Sequence, residues 1–110
     1  MRPDLLSSVF GALADPTRRA ILARLADGDL PVGELAAPFP MSQPAISRHL
    51  KVLESAGLIT RSRRATTRLS HLEAKPLREA TSWLARYQEL WDERFDRLDS
   101  VLASLKEGRP

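Results

Sequence analysis

The sequence predicts a mainly helical fold of about five helices that also carries one two-stranded β-hairpin. Apolar residues recur at three- and four-residue spacing over most of the chain, which is typical of amphipathic helices. Residues 58–72 instead form two short alternating runs, which indicate paired strands. With 110 residues, of which 43% are hydrophobic and 28% charged, the chain has the profile of a folded globular protein. We therefore expect a single domain over residues 1–110.

Capping signals place the first two helices. After Asp4, apolar residues at helical spacing predict a short amphipathic helix, made of Leu5, Leu6, Val9, Phe10 and Leu13. Asp15 followed by Pro16 is typical of an N-cap with proline at the first helical position. This second helix presents Ile21, Leu22 and Leu25 on one face, and we expect it to end near Gly28.

The next two helices are separated by a short proline-containing connection. A third helix is predicted from Pro31 to Ala37, and a fourth over residues 42–56, with Ser42 as its N-cap and Gly57 as its stop. The fourth helix has an apolar stripe that must face inward, consisting of Ile46, Leu50 and Leu53. Its other side is polar and basic.

The hairpin and a long final helix complete the prediction. The two strands are residues 58–63 and 67–72, joined by Arg64, Ala65 and Thr66, a turn that contains neither Gly nor Asn. A helix over residues 76–105 follows, with apolar residues at alternating three- and four-residue steps. Such a helix needs a partner. We therefore predict a homodimer whose interface comprises Leu5, Leu6, Val9, Leu84, Tyr87, Trp91, Leu98 and Val101.

A short helix, a tight turn and a second helix with one apolar and one basic face define a helix-turn-helix, and the hairpin after it forms a wing. Residues 42–72 carry six basic and one acidic side chain, whereas residues 1–41 and 73–110 each have a net charge of −1. A basic segment of this kind attracts the phosphates of nucleic acid. The predicted DNA-binding residues are Ser42, Gln43, Pro44, Ser47, Arg48, Lys51, Arg61, Arg63, Arg64 and Arg68.

Several of these residues have a second interpretation. Ser42 also fits a purely structural helix cap, and Gln43 an ordinary exposed glutamine. The wing arginines also fit a solvated hairpin, although no acidic residue lies between Glu54 and Glu73 to neutralise them. On DNA, the wing can follow the phosphates or place an arginine in the minor groove.

The composition argues against other chemistries. The chain has no cysteine and only two histidines, and it contains no nucleophile motif or phosphate-binding loop. We expect no metal site, no cofactor and no enzymatic activity. No run of apolar residues is long enough to span a membrane, and the N-terminus lacks the features of a signal peptide, so we expect a cytoplasmic protein.

Three segments of the chain match a known pattern: ADPTRRAIL at residues 14–22, VGELA at residues 32–36 and SQPAISRHLKVLESAGL at residues 42–58. They closely resemble ArsR-type (arsenic-repressor-like) bacterial transcription regulators over about residues 5–105. The resemblance implies a dimeric winged helix repressor that is released from a pseudo-palindromic operator by an inducer. It also implies regulation of its own operon.

Metal-sensing members of that family carry Cys-x-Cys near the third helix, or Asp, His and Glu ligands on the last. Here residues 34–39 read ELAAPF, and the last helix has no histidine, so the chain resembles a metal-independent branch. Two other functions stay open: a winged helix used for protein association, and a regulator that binds a small molecule among Trp83, Tyr87 and Trp91.

Overall fold

The computed structural model describes residues 4–107, whose internal contacts divide the chain into two compact units, Met1–Ala80 and Thr81–Pro110. The ends of the predicted single domain, residues 1–3 and 108–110, lie outside the described residues. The elements in chain order are α1 (Leu5–Leu13), α2 (Pro16–Leu25), β1 (Leu30–Pro31), α3 (Val32–Ala36), α4 (Gln43–Ser55), β2 (Ile59–Arg64), β3 (Thr67–Leu72) and α5 (Ala74–Glu107).

Capping chemistry predicts the starts of α2 and α4 and the end of α4, whereas α2 ends at Leu25, before the predicted Gly28. The Asp15 carboxylate accepts a hydrogen bond from the Arg18 backbone N–H at 3.0 Å, and the Ser42 hydroxyl accepts one from the Ala45 N–H at 3.3 Å. Both groups satisfy amides that lack a partner inside the helix. Gly57 ends α4 with a φ of +76°, a conformation that glycine adopts without steric penalty.

The core of the first unit confirms the inward stripe of α4, since Ile46, Leu50 and Leu53 are fully buried. One prediction for α1 is wrong. Val9 was expected at a subunit interface, but only 1% of it is exposed. It lies three residues from buried Ala12 on the face of α1 that packs into the core, so it has no surface to offer a partner.

The sheet has three strands in the order β1-β3-β2, and the sequence predicted only two. Strand β1 pairs antiparallel with β3, with Leu30 opposite Ser70 and Pro31 opposite Leu69. Two residues are too few to show alternation, and Pro31 was instead assigned to the third helix. That helix begins one residue later, at Val32.

The hairpin turn is also tighter than predicted. Arg64 pairs with Thr67 across the ladder, so the connection is the two residues Ala65 and Thr66, and Arg64 belongs to β2. Ala65 has a φ of +56°, in the left-handed region that usually selects glycine. A side chain in this conformation costs about 1–2 kcal/mol. The hairpin therefore turns with Ala65 in a conformation that glycine usually adopts, although a turn without glycine is a weak sequence signal for a hairpin.

Helix α5 extends two residues beyond the predicted range at each end. Its first turns belong to the first unit, where Ala80 is buried and Leu77 packs against the core. From Thr81 to Glu107, which forms the described part of the second unit, every residue is exposed.

Candidate nucleic-acid interface

The side of α4 away from its buried stripe exposes Pro44, Arg48 and Lys51, and Gln43 is exposed at the N-terminal end of the helix. Ser47 lies on the same side and is partly covered. The structure therefore brings together the predicted residues of α4. No acidic residue lies on the first two turns of this helix, so its surface there is polar and positively charged.

The first turn of α4 lies beside α3. A Cβ atom added to Gly33 would stand 3.7 Å from the side-chain nitrogen of Gln43, an ordinary van der Waals distance. Ser42 is exposed and caps the helix, which confirms its structural role, and a hydroxyl that accepts from an N–H can still donate its own hydrogen. The N-terminal end of α4 thus presents two polar side chains next to the preceding helix.

Arg18 fixes α4 in place, a role that the sequence analysis missed. Its Nε donates to the Ala12 carbonyl at 2.7 Å, and its Nη2 donates to the Gly11 carbonyl at 3.1 Å. Its Nη1 lies 3.3 Å from Nδ1 of His49 on α4, and since a guanidinium cannot accept, this ring nitrogen is the acceptor. One side chain on α2 therefore joins α1, α2 and α4.

Arg19 and Asp15 make further hydrogen bonds beside those of Arg18. Arg19 donates to the Leu13 carbonyl at 2.6 Å, so both arginines of the Asp-Pro-Thr-Arg-Arg segment satisfy carbonyls at the end of α1. The hydrogen bond from the Arg18 backbone N–H lowers the pKa of Asp15, against a smaller opposing effect of burial, and the Arg18 charge and the Thr17 backbone N–H lower it further. In the sequence, the only indication of these hydrogen bonds is the pair of arginines directly after a capped helix start.

Arg61 links the wing to α4. Its Nη2 donates to the Ser47 carbonyl at 3.3 Å, and its Nε is buried without an acceptor among the described residues. The sequence predicted this residue as a DNA contact, whereas the structure places it half-buried at the base of the hairpin. The hydrogen bond of Arg61 therefore holds the wing against α4.

The remaining wing arginines lie on two faces. Directly opposed residues of an antiparallel ladder share a face, so Arg63 and Arg68, which are paired, lie on one side together with Arg61. Arg64 points to the other side. The first three arginines line a groove of about 330 Å³ together with Ser62 and Glu54.

At the other end of the sheet, His71 joins β3 to the loop before β1. Its Nδ1 lies 2.7 Å from an Asp29 carboxylate oxygen, and its Nε2 lies 4.0 Å from the Glu73 carboxylate. The hydrogen bond and charge of Asp29 raise the pKa of His71, and Glu73 adds to that effect. No sequence pattern around His71 predicts this contact.

The second unit carries an apolar stripe on exposed helix surface. The predicted interface residues Leu84, Tyr87, Trp91, Leu98 and Val101 are between 47% and 58% exposed. The same side also exposes apolar residues that the three-and-four spacing did not include, namely Trp83, Leu90, Phe95 and Leu102. We call this whole set the α5 stripe.

Aromatic rings contact each other along the helix within the α5 stripe. The centroids of Trp83 and Tyr87 are 5.1 Å apart, and those of Trp91 and Phe95 are 5.4 Å apart. A hollow of about 220 Å³ beside Tyr87 and Trp91 is smaller than the 300–1,000 Å³ usual for ligand pockets. No helix within residues 4–107 is long and apolar enough to cross a membrane.

A short helix followed by a helix with an exposed basic face, and then a β-hairpin, defines a winged helix-turn-helix protein. Comparison with known proteins agrees, since a family model described as a helix-turn-helix domain matches residues 13–62. The HTH-type transcriptional regulator Rv2034 of Mycobacterium tuberculosis is 49% identical over 76 residues, which are 69% of this chain and 71% of that protein. The transcriptional repressor SdpR of Bacillus subtilis is 35% identical over 82 residues, 74% of this chain and 91% of that protein.

Solved structures extend the match. The crystal structure of an ArsR family transcriptional regulator superposes with a TM-score of 0.74 at 42% identity, covering 84% of this chain and 95% of that one. The solution structure of the homodimeric winged helix-turn-helix DNA-binding domain of Mb0332 from Mycobacterium bovis gives 0.62 at 28% identity, covering 86% and 84%. The chain belongs to the ArsR family of winged helix transcriptional regulators. It is a DNA-binding transcriptional regulator.

The contact of His71 with Asp29 makes stability depend on pH. A raised folded-state pKa means that the contact stabilises the fold fully below about pH 6.5, the ordinary value, and that this is lost as pH rises through the folded pKa. Asp29→Asn is therefore expected to lower the free energy of unfolding more at pH 6 than at pH 8.5. Urea unfolding at both pH values measures it.

The matched control is Asp27→Asn, which removes an exposed carboxylate from the same loop. Its effect on unfolding should be the same at both pH values. A penalty for Asp29→Asn that is equal at the two pH values, or larger at pH 8.5, would contradict the contact.

Proposed function

We propose that the chain represses transcription, including that of its own operon, by binding a pseudo-palindromic operator as a homodimer. The observation that carries this proposal is the exposed face of α4, which presents Gln43, Arg48 and Lys51 beside an arginine-rich wing. A helix of this size fits the major groove of B-DNA. Membership of a family of transcriptional regulators, with a relative named as a repressor, supports it further.

Within this proposal some residues of α4 contact bases and others contact phosphates. Gln43, in the first turn, reads a base, since glutamine pairs with N6 and N7 of adenine, and Ser42 and Ser47 add hydrogen bonds to neighbouring bases. Pro44 packs against the groove wall. Arg48 and Lys51 lie further along the helix and bind phosphates, which fix the position of the protein on the duplex without reading sequence.

The proposed dimer forms through the α5 stripe, with Trp91 near its centre and Leu5 and Leu6 of α1 contributing at its edge. Aromatic side chains bury about 150–250 Å² each, so a stripe of them is a large apolar surface for a monomer to expose. A twofold axis would set two α4 helices about 34 Å apart, one turn of DNA. The homodimeric domain among the similar structures supports this arrangement.

We also propose that this regulator does not sense metal, is not an enzyme and works in the cytoplasm. The basis is the sequence, which has no cysteine and two histidines, one of them bonded to Arg18 and the other to Asp29. If an inducer exists, it is a small molecule whose site involves the aromatic residues of α5.

The direct test is binding to the DNA upstream of its own gene, measured by fluorescence anisotropy over a range of salt concentrations. Affinity is expected to fall steeply with salt, because both subunits release counterions from several phosphates. Gln43→Ala should weaken binding to the operator by about fivefold to 150-fold, as a base contact is worth about 1–3 kcal/mol, and leave random DNA nearly unchanged.

Lys51→Ala provides the control, since loss of a phosphate contact should weaken operator and random DNA alike and reduce the salt slope. No binding at low salt would exclude the proposed repressor. Equal losses on both DNAs for Gln43→Ala would exclude only its role in reading a base.

Trp91→Glu is expected to give monomers that no longer bind the operator, because a charge at the centre of the stripe disrupts the interface and one half-site is too weak alone. Analytical ultracentrifugation and operator binding measure the two effects together. Ala85→Glu adds the same charge on the polar side of α5 and should leave both unchanged. A Trp91→Glu dimer of unaltered stability would place Trp91 outside the interface.

Zinc, cadmium and arsenite should leave the operator complex intact, because the chain offers no thiolate and neither histidine is unengaged. Anisotropy of a preformed complex, titrated with each metal to a few times the protein concentration, checks this. Release that EDTA reverses would show metal sensing, whereas release accompanied by precipitation is identified by light scattering and discounted.

A further inference from the structure

The wing contains a pair of like charges that its own fold does not neutralise. Arg63 and Arg68 lie directly opposite each other on one face of the hairpin, an arrangement that is destabilising in a sheet. Both are exposed. Among residues 4–107, the ion pairs within 4.0 Å involve only histidines, so neither arginine forms a salt bridge within that distance. An anion from outside the chain would remove this repulsion.

Arg61 extends the positive face toward α4. It lies two residues before Arg63 on the same face, and its hydrogen bond to the Ser47 carbonyl fixes it against the helix. Its Nε has no acceptor among the described residues, so the guanidinium is not fully satisfied. The three arginines thus form a row that leads from α4 to the tip of the wing.

A groove lies along this row. It has a volume of about 330 Å³ and is lined by Glu54 of α4 together with Arg61, Ser62, Arg63 and Arg68 of the hairpin. The three guanidinium groups outnumber the one carboxylate, so the groove has a net charge of +2. Guanidinium groups bind phosphate oxygens with two parallel hydrogen bonds.

We propose that this groove is a binding site for a single backbone phosphate of the operator in each half-site. Arg63 and Arg68 hold the phosphate, and Arg61 is a positioning residue. Because Arg61 is bonded to the backbone of α4, the phosphate is held at a fixed distance from the bases that α4 reads. Arg64, on the other face, does not contact this phosphate. The inference rests on the proposed function.

The test replaces the operator phosphates one at a time by uncharged methylphosphonates and measures the affinity of each duplex. For the wild-type protein we expect one position per half-site, flanking the bases read by α4, where the replacement weakens binding by about tenfold. In the double variant Arg63→Ala/Arg68→Ala this position should lose its effect. The salt slope should fall by about 0.9 for each phosphate released, roughly 2 for the dimer.

Arg64→Ala is the matched control, since it removes the same side chain from the adjacent residue on the other face. It should preserve the effect of the methylphosphonate at that position. Glu54→Gln removes the carboxylate from the groove and should strengthen operator binding. Thermal unfolding of the double variant should occur at the same or a higher temperature than for the wild type, because the repulsion is gone.

The positioning role of Arg61 has its own readout. Arg61→Ala should lower the ratio of operator affinity to random-DNA affinity, since the phosphate no longer fixes the register of α4. Arg61→Lys, which can still donate to the Ser47 carbonyl, should restore part of that ratio. A fall in affinity for both DNAs by the same factor would show that Arg61 does not set the register.

The outcomes separate this inference from the repressor itself. If the operator is bound but the double variant keeps the same methylphosphonate profile as the wild type, the phosphate site is wrong and the repressor stands. If Arg64→Ala removes the effect as fully as the double variant, the assignment to one face is wrong. If no duplex is bound at low salt, the proposed function fails first.

Discussion

The placement of α4 depends on the hydrogen bonds of one guanidinium group. Arg18 donates to two carbonyls at the end of α1 and to His49 of α4, while its own backbone N–H is held by Asp15 at the start of α2. Because a guanidinium is planar and rigid, these contacts fix three helices at once. A helix that reads bases must be held to within about half an ångström, and these bonds add direction to the packing of its apolar stripe.

The wing is tied to the same helix by a similar bond, which makes its arginines part of one rigid surface. Arg18 contacts the side chain of His49, and Arg61 contacts the carbonyl of Ser47, two residues earlier on α4. The sheet adds a third constraint through His71 and Asp29 at its far end. The chain keeps an unfavourable pair of arginines on this scaffold. A bound anion would relieve this charge repulsion, so the free energy that the pair costs the unbound wing would favour binding.

Much of this fold follows from local sequence signals, and what does not follow is non-local. The caps at Asp15 and Ser42 and the buried stripe of α4 depend on residues within a turn or two of each other, so spacing and residue type predict them. Strand β1 exists only because β3 passes beside it. The bonds of Arg18 and Arg61 end on backbone carbonyls, which leave no mark in a pattern of side chains.

The same distinction holds for the candidate site. The exposed residues of α4 and the wing were predicted from charge and spacing, because a polar face opposite an apolar stripe is a local property. Which arginine lies on which face of the hairpin depends on register, and register depends on the turn. The prediction placed Arg64 in the turn, whereas the two-residue turn at Ala65 and Thr66 puts it in β2 and leaves Arg63 opposite Arg68.

The geometry of the α5 stripe limits what can cover it. Leu84, Trp91 and Leu98 lie seven residues apart, as do the pairs Trp83/Leu90 and Phe95/Leu102, and Tyr87 and Val101 complete the α5 stripe. This seven-residue repeat corresponds to the 3.5 residues per turn of a left-handed coiled coil. Adjacent residues point about 100° apart, so the stripe is wider than the seam that a single partner helix covers. In the proposed dimer, each stripe therefore has apolar surface beyond the partner helix that a further element must cover.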